Sequence, residues 1–264
     1  MDLSLSDKTV LITGSHRGTG AGTARVFAAE GARVAVHGFE HGQPDEVVAQ
    51  IEAAGGTAVP VIGDLLDSVG AQQVVDQTVA ALGDVQILVN NYGAPGRSGW
   101  DTPAEAWVDG WNRNVLSAVR VTQLVVPAMR DAGWGRIIWL GTVGTERPGD
   151  RNPDYYGSKA AIPALVRSLA KDLRGSGITS NLVSPGMIAT AEVREMLQRR
   201  AERDGLDRSW DVAQRHALDN QMPNLTERIP EPEDIGAIVA FVASEAAWHL
   251  NGADIKADGG ALDA

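Results

Sequence analysis

The chain contains no cysteine, so disulfide staples and a thiol nucleophile are both excluded. Basic residues are scarce. There are 23 Lys and Arg against 34 Asp and Glu, a formal charge of -11 and an isoelectric point near 4.9. A chain so acidic is a poor partner for nucleic acid or an anionic membrane surface, and neither is expected to bind it. No apolar run reaches the length of a membrane span. The first eight residues are polar and lack the basic segment followed by an apolar stretch that marks a secretory signal. A cytoplasmic protein is the expectation. Low-complexity stretches, repeats and linkers are also missing.

What remains suits a packed core, with 44% hydrophobic residues. Short β-branched runs at 9–13, 33–36, 58–62, 86–90, 136–140, 179–183 and 253–256 read as strands. Helical patterns at 18–30, 44–54, 69–82, 103–131, 154–174 and 232–244 alternate with them, and Pro127 predicts a bend in the longest. The strands are continuously apolar, as in a sheet buried on both faces. The fold class is therefore α/β. One domain over 1–264 is predicted, a doubly wound parallel sheet of Rossmann type with about seven strands and helices on both faces. Residues 191–230 break the rhythm with many charges and no strand. They follow the sixth strand, on the side where such sheets bind ligands, and are read as a substrate-lid insertion.

The segment 13–20 joins the first strand to the first helix and reads Gly-x-x-x-Gly-x-Gly at Gly14, Gly18 and Gly20. Glycines there permit a tight turn, and the backbone N–H groups of Ser15, His16, Arg17 and Thr19 can approach a pyrophosphate at a helix N-terminus. An acid at the tip of the second strand would hold the ribose 2′-hydroxyl of NAD. The chain has His37 there, with Glu40 arriving late. Arg17 offers a partner for a 2′-phosphate. NADP(H) is therefore the favoured cofactor and NAD(H) the alternative.

Tyr155 and Lys159 stand four residues apart in a helical stretch, so phenol and ammonium share one face. A cation beside a phenol favours the phenolate, and a tuned phenol can pass a proton to or from a carbonyl or alcohol oxygen. Thr142 lies thirteen residues upstream. Tyr156 is the competing phenol, and the two spacings favour Tyr155. No His, Asp or Glu cluster has metal-ligand spacing, so no metal is expected.

These motifs, taken in order, strongly resemble those of the short-chain dehydrogenase/reductase family. They are the loop at 13–20, Asp64, Asn90-Asn91-Tyr92-Gly93, Asn114, Thr142, Tyr155-x-x-x-Lys159, Pro185-Gly186-x-x-x-Thr190 and the closing Ala257-Asp258-Gly259-Gly260. The likeness extends to the family's 3-oxoacyl-reductase branch. It implies an NAD(P)-dependent oxidoreductase that interconverts a carbonyl and a secondary alcohol. Tyr155 is then the acid and base, with Lys159 lowering its pKa and binding the nicotinamide ribose. Asn114 holds a relay water, and Thr142 stands where the family has serine. Asp64 and Leu65 would meet the adenine, Asn91 and Gly93 the adenosine ribose. Ile188 and Thr190, following Pro185 and Gly186, would meet the carboxamide. Tyr92 departs from the family's small residue.

The resemblance also implies a homotetramer or homodimer built on the long helix and the Tyr155 helix, where Trp107 and Trp111 lie one turn apart. The expected partner is a small carbonyl or alcohol substrate, with a carrier-linked 3-oxoacyl group as a second choice. A catalytically silent NAD(P)-binding sensor is the alternative function, and the intact Asn114, Thr142, Tyr155, Lys159 set argues against it. A lyase or epimerase would need a further acid or base from the lid, for which Glu192, Glu195 and Asp204 are available.

Overall fold

The structure is a computed structural model and describes residues 2–96 and 98–264. Seven strands form one sheet in the order β3-β2-β1-β4-β5-β6-β7, every pair parallel. They are β1 Thr9–Ile12, β2 Arg33–Gly38, β3 Thr57–Ile62, β4 Ile87–Asn90, β5 Gly135–Leu140, β6 Ile178–Pro185 and β7 Asp254–Ala257. The predicted strands are all present: β2, β3, β5 and β6 are longer than predicted, β1 and β4 each one residue shorter, and β7 is shifted by one residue.

Successive strand residues face opposite sides of the sheet. Val10 and Ile12 pack into one apolar layer with Phe27, Ile51 and Val239. That layer is covered by α1 (Gly18–Ala29), α2 (Asp45–Ala53) and α9 (Pro232–Ala243). Leu11 packs into the other with Val74, Val125 and Val166. It is covered by α3 (Ser68–Leu82), α5 (Ser117–Ala132) and α6 (Pro153–Asp172). From β1 the chain winds outward through β2 and β3, then returns to pair β4 against β1. Strand order reverses there, which opens a crevice at the carboxyl ends of β1 and β4.

The long helix predicted over 103–131 is interrupted upstream of Pro127, which lies within α5. Helix α4 (Ala104–Trp111) passes into a π-helical turn, Asn112–Leu116, before α5 resumes. The Ser117 N–H reaches back to the Asn112 carbonyl, five residues away. The Asn114 carboxamide donates to the Gly110 carbonyl at 3.0 Å, the acceptor that its own N–H would meet in a regular α-helix. A side chain competing for that acceptor supplies the local cause of the π turn, a feature common at functional sites.

Residues 191–230 form α7 (Ala191–Arg203) and α8 (Trp210–Asn220), joined by their own apolar cluster of Leu197, Ala201, Ala213, Ala217 and Ile229. Trp210 packs into that cluster under the Arg194 guanidinium, 4.2 Å from its ring centre.

His37 is wholly buried at the end of β2. Its Nδ1 accepts from the Gly14 N–H at 2.8 Å, so its Nε2 carries the proton and donates to the Gly63 carbonyl at 2.9 Å. One neutral imidazole thereby joins the ends of β1, β2 and β3. Burial, the largest influence, holds its pKa down to about 4. A histidine whose folded pKa lies below its unfolded value contributes stability above about pH 6.5, and loses it as pH falls towards 4. His37→Phe should therefore destabilise the fold by about 2–4 kcal/mol at pH 7, since it orphans two buried backbone groups. The gap to wild type should narrow between pH 6.5 and 4 in urea melts. Protonation of His37 near pH 6.5 in an NMR titration would contradict this account.

Candidate functional site

A cleft of about 900 Å³ lies at the carboxyl ends of the central strands. The glycine loop forms one wall. Gly14 and Gly18 have φ of +63° and +55°, left-handed conformations that favour glycine. Gly20 is confined instead by space, because a Cβ there would stand 2.5 Å from the Asn91 Nδ2. Asn91 clamps the loop by donating to the Thr13 carbonyl at 2.7 Å and the Gly14 carbonyl at 3.2 Å. Among the described residues no side chain caps α1, so its first N–H groups remain available to an anion. A cradle without Cβ atoms at a helix N-terminus fits the diphosphate of a dinucleotide.

At the far end the cleft is walled by Phe39, Gln43, Asp64 and Leu66. Asp64 uses one carboxylate oxygen to accept the Leu66 N–H at 2.9 Å. Gly14, His16, Arg17, Gly18, Thr19, Gly20, Asn91, Gly93, Pro185, Gly186, Ile188 and Thr190 all line the cleft, as the sequence anticipates.

Four anticipated residues do not line it. Asn114 is buried in the π turn. Ser15 is buried, its hydroxyl donating to the Ile12 carbonyl at 2.7 Å and accepting from the His37 N–H. His37 is committed to the strand ends as described. Leu65 faces the core beneath α3 and α5, and Leu66 takes the wall position instead. The apolar pattern could not separate two adjacent leucines. Phe39, Tyr92, Arg113, Met187 and Val193 also line the cleft, and sequence reasoning gave them no site role. Their only signal is position, just after a strand or beside a motif.

Three of the four catalytic candidates, Thr142, Tyr155 and Lys159, line the same cleft. Thr142 follows β5, and its hydroxyl accepts from the Gly144 N–H at 3.1 Å. It also lies within hydrogen-bonding reach of the Tyr155 phenol. Tyr156 packs its ring against Gly144 instead, where a Cβ would stand 2.8 Å from its Cε1. The geometry thus separates the two phenols as their spacings predict.

Lys159 is 5% exposed and donates to the Leu140 carbonyl at 2.8 Å. A Cβ on Gly93 would stand 2.9 Å from both the Lys159 Nζ and the Asn114 Oδ1. Ammonium, carboxamide and the Gly93 backbone therefore meet in one crowded space. The Asn114 carboxamide is engaged by backbone at both ends, accepting from the Ala94 N–H at 2.9 Å and donating to Gly110. This side chain shapes the chain around it, and a water held by Asn114 has to share a carboxamide already bonded at both ends.

Burial dominates the titration of the pair. It pushes the Tyr155 phenol up to about 12, helped by the neighbouring Tyr156 and opposed by Thr142. It brings the Lys159 ammonium down to about 8. The sequence leads one to expect the lysine charge to lower the phenol. In the protein alone burial sets the direction and the phenol rises.

Comparison with known proteins follows the same geometry. The family model described as Enoyl-(Acyl carrier protein) reductase matches residues 14–261. The chain is 31% identical to D-beta-hydroxybutyrate dehydrogenase of Cupriavidus necator, over 97% of this chain and 98% of that protein. The chain belongs to the short-chain dehydrogenase/reductase family. It is also 33% identical to L-rhamnose 1-dehydrogenase (NAD(P)(+)) of Azotobacter vinelandii, over 97% of each. The crystal structure of L-sorbose reductase from Gluconobacter frateurii, complexed with NADPH and L-sorbose, superposes with a TM-score of 0.91 at 28% identity over the whole of both chains. The short-chain dehydrogenase/reductase frame therefore extends through α7 and α8 as well as the sheet. Among the described residues no cluster of His, Asp and Glu is placed to hold a metal, and no helix is long and apolar enough to cross a membrane.

The crowding at Gly93 gives a sharp expectation. Gly93→Ala should displace the Lys159 ammonium or Asn114, and misplacement on the order of 1 Å is worth roughly 100-fold in turnover. Steady-state assays should show that loss in kcat in a variant that circular dichroism shows to be folded. Wild-type kcat in this variant would show that the three groups are not jointly confined.

Proposed function

We propose that this chain interconverts a secondary alcohol and the corresponding carbonyl in a small hydroxy or oxo compound, with NADP(H) as the preferred cofactor. NAD(P)-dependent oxidoreduction at such groups is the chemistry of its family. The observation that carries the reading is the convergence of Thr142, Tyr155 and Lys159 in one cleft with a glycine cradle. A bound nicotinamide supplies the hydride to the carbonyl carbon, or takes it from the carbinol carbon. The rest falls to the chain.

In reduction Tyr155 donates its proton to the substrate oxygen, and near neutral pH its raised pKa keeps the proton available. Thr142, beside that phenol, polarises the same oxygen. Lys159, held by the Leu140 carbonyl, keeps a positive charge behind the phenol as it loses its proton. Asn114 positions Lys159 through the backbone it organises. Asp64, Leu66 and Asn91 hold the adenosine end, and Ile188 and Thr190 the carboxamide.

Arg17 supports the NADP(H) preference. It stands at the mouth with its side chain 69% exposed, paired to Glu192 of α7 at 3.1 Å, an ion pair weak enough to be exchanged for a phosphate. Glu40 does not line the cleft, so no carboxylate from the tip of β2 competes for the 2′ position. We also read α7 and α8 as a lid, because Glu192 and Val193 bring that segment to the cleft. Cytoplasmic location and a homodimer or homotetramer complete the proposal. Trp111, Val108 and Leu116 leave an apolar face exposed along α4 and the π turn.

Tyr155→Phe should lower turnover by about 100-fold or more while dinucleotide affinity stays near wild type. Reduced-nicotinamide absorbance with a panel of ketones and alcohols measures the first, and fluorescence titration with both nucleotides the second. Tyr156→Phe should remain active. Full activity in Tyr155→Phe would refute the assignment, and tighter binding of NADH than NADPH would refute the cofactor preference.

A further inference from the structure

Tyr92 has no assigned role, yet its ring is held more firmly than a loop residue requires. Its N–H donates to the Thr13 hydroxyl at 3.0 Å. Its Cα and Cβ lie 3.3 Å from where a Cβ on Gly14 would stand, so it is pressed onto the first turn of the glycine loop. Phe39, from the end of β2, meets the ring at 4.7 Å between centres, tilted by 55°. Behind Phe39 stand His37 at 5.0 Å and His16 at 6.4 Å, both edge-on. The aromatic row runs from the phosphate cradle towards Asp64.

Burial raises the Tyr92 phenol pKa, so the ring is neutral across the physiological range. The Arg113 guanidinium is carried on the π turn beside Asn114, and its charge draws that pKa down without outweighing burial. Gly14 and Phe39 press on the ring, which lines the cleft together with the cradle, Asp64 and Leu66.

We propose that Tyr92 is a cofactor-recognition residue, forming with Phe39 an aromatic wall against which the adenosine half of the dinucleotide packs. The inference rests on the dinucleotide reading of the cleft. A purine nucleoside running from the cradle to Asp64 has to pass this ring, and a neutral π face accepts either an adenine ring or the apolar face of a ribose. The contact is indifferent to a 2′-phosphate, so NADH and NADPH benefit alike, and discrimination between them is left to Arg17.

The test is calorimetric titration of wild type, Tyr92→Leu and Tyr92→Phe with NADH, NADPH and ADP-ribose, which keeps the adenosine half and lacks nicotinamide. Base–aromatic stacking is worth enough for Tyr92→Leu to weaken all three by about tenfold or more and by a common factor. Tyr92→Phe keeps the ring and should stay within about threefold of wild type. Melting temperatures of the three proteins identify a variant weakened only by misfolding, and Phe39→Leu then provides the same comparison from the other half of the wall. Unchanged or tighter ADP-ribose binding in a folded Tyr92→Leu would overturn the proposal, because the ring would then fill the pocket rather than line it. Wild type that binds neither dinucleotide would overturn the cofactor reading itself, which separates the two failures.

Discussion

The site depends on one constraint, a lysine ammonium kept almost out of water between the Leu140 carbonyl, the Gly93 backbone and the Asn114 carboxamide. Burial lowers its pKa from the usual lysine value to about 8, which amounts to roughly 3 kcal/mol against holding the charge at neutral pH. The sign is that of a depressed cation. The penalty is present below pH 8 and relieved as pH rises towards 10.5. Only one of the three ammonium protons has a protein acceptor at hydrogen-bond distance among the described residues, at Leu140. A charge so placed keeps its field, most of which a solvated lysine would lose to screening.

Several features of the fold serve that placement. Reversal of strand order between β1 and β4 brings Gly93, the glycine loop and the Leu140 end of β5 to one crevice. The π turn sets Asn114 against Gly93 and carries Arg113 to Tyr92. His37 ties the loop to β2 and β3 without entering the cleft. A conformational change in any of these would be felt at the lysine, because interiors are packed too closely to absorb displacements of an ångström.

Much of this was legible in the sequence, for identifiable reasons. Continuous apolar strands and punctuating glycines located all seven strands, because burial on both faces leaves a pattern that short-range reading detects. The Tyr155–Lys159 spacing chose the phenol facing the cleft, since helical periodicity fixes which residues share a face. The π turn was not legible, because it arises from a side-chain hydrogen bond between Asn114 and Gly110 that mimics ordinary helical spacing in the text of the chain. His37 was read as a cofactor contact for want of any way to see that Gly14 and Gly63 would claim both of its nitrogens. Leu65 and Leu66 are equivalent in sequence and differ only in which way the turn after β3 points them. The direction of the Tyr155 shift was missed because desolvation is a property of the assembled site, absent from any local motif.

The most direct measurement of the central claim is the pKa of Lys159 itself. The chain has only four lysines, so ε-carbon labelling and carbon NMR give a small set of signals to follow with pH. Lys159→Met identifies the signal by its loss. The account predicts that this lysine titrates near pH 8 in the protein alone. Titration at the ordinary lysine value, near 10.5, would show that the ammonium is solvated, and the arrangement described around Gly93 and Leu140 would be wrong.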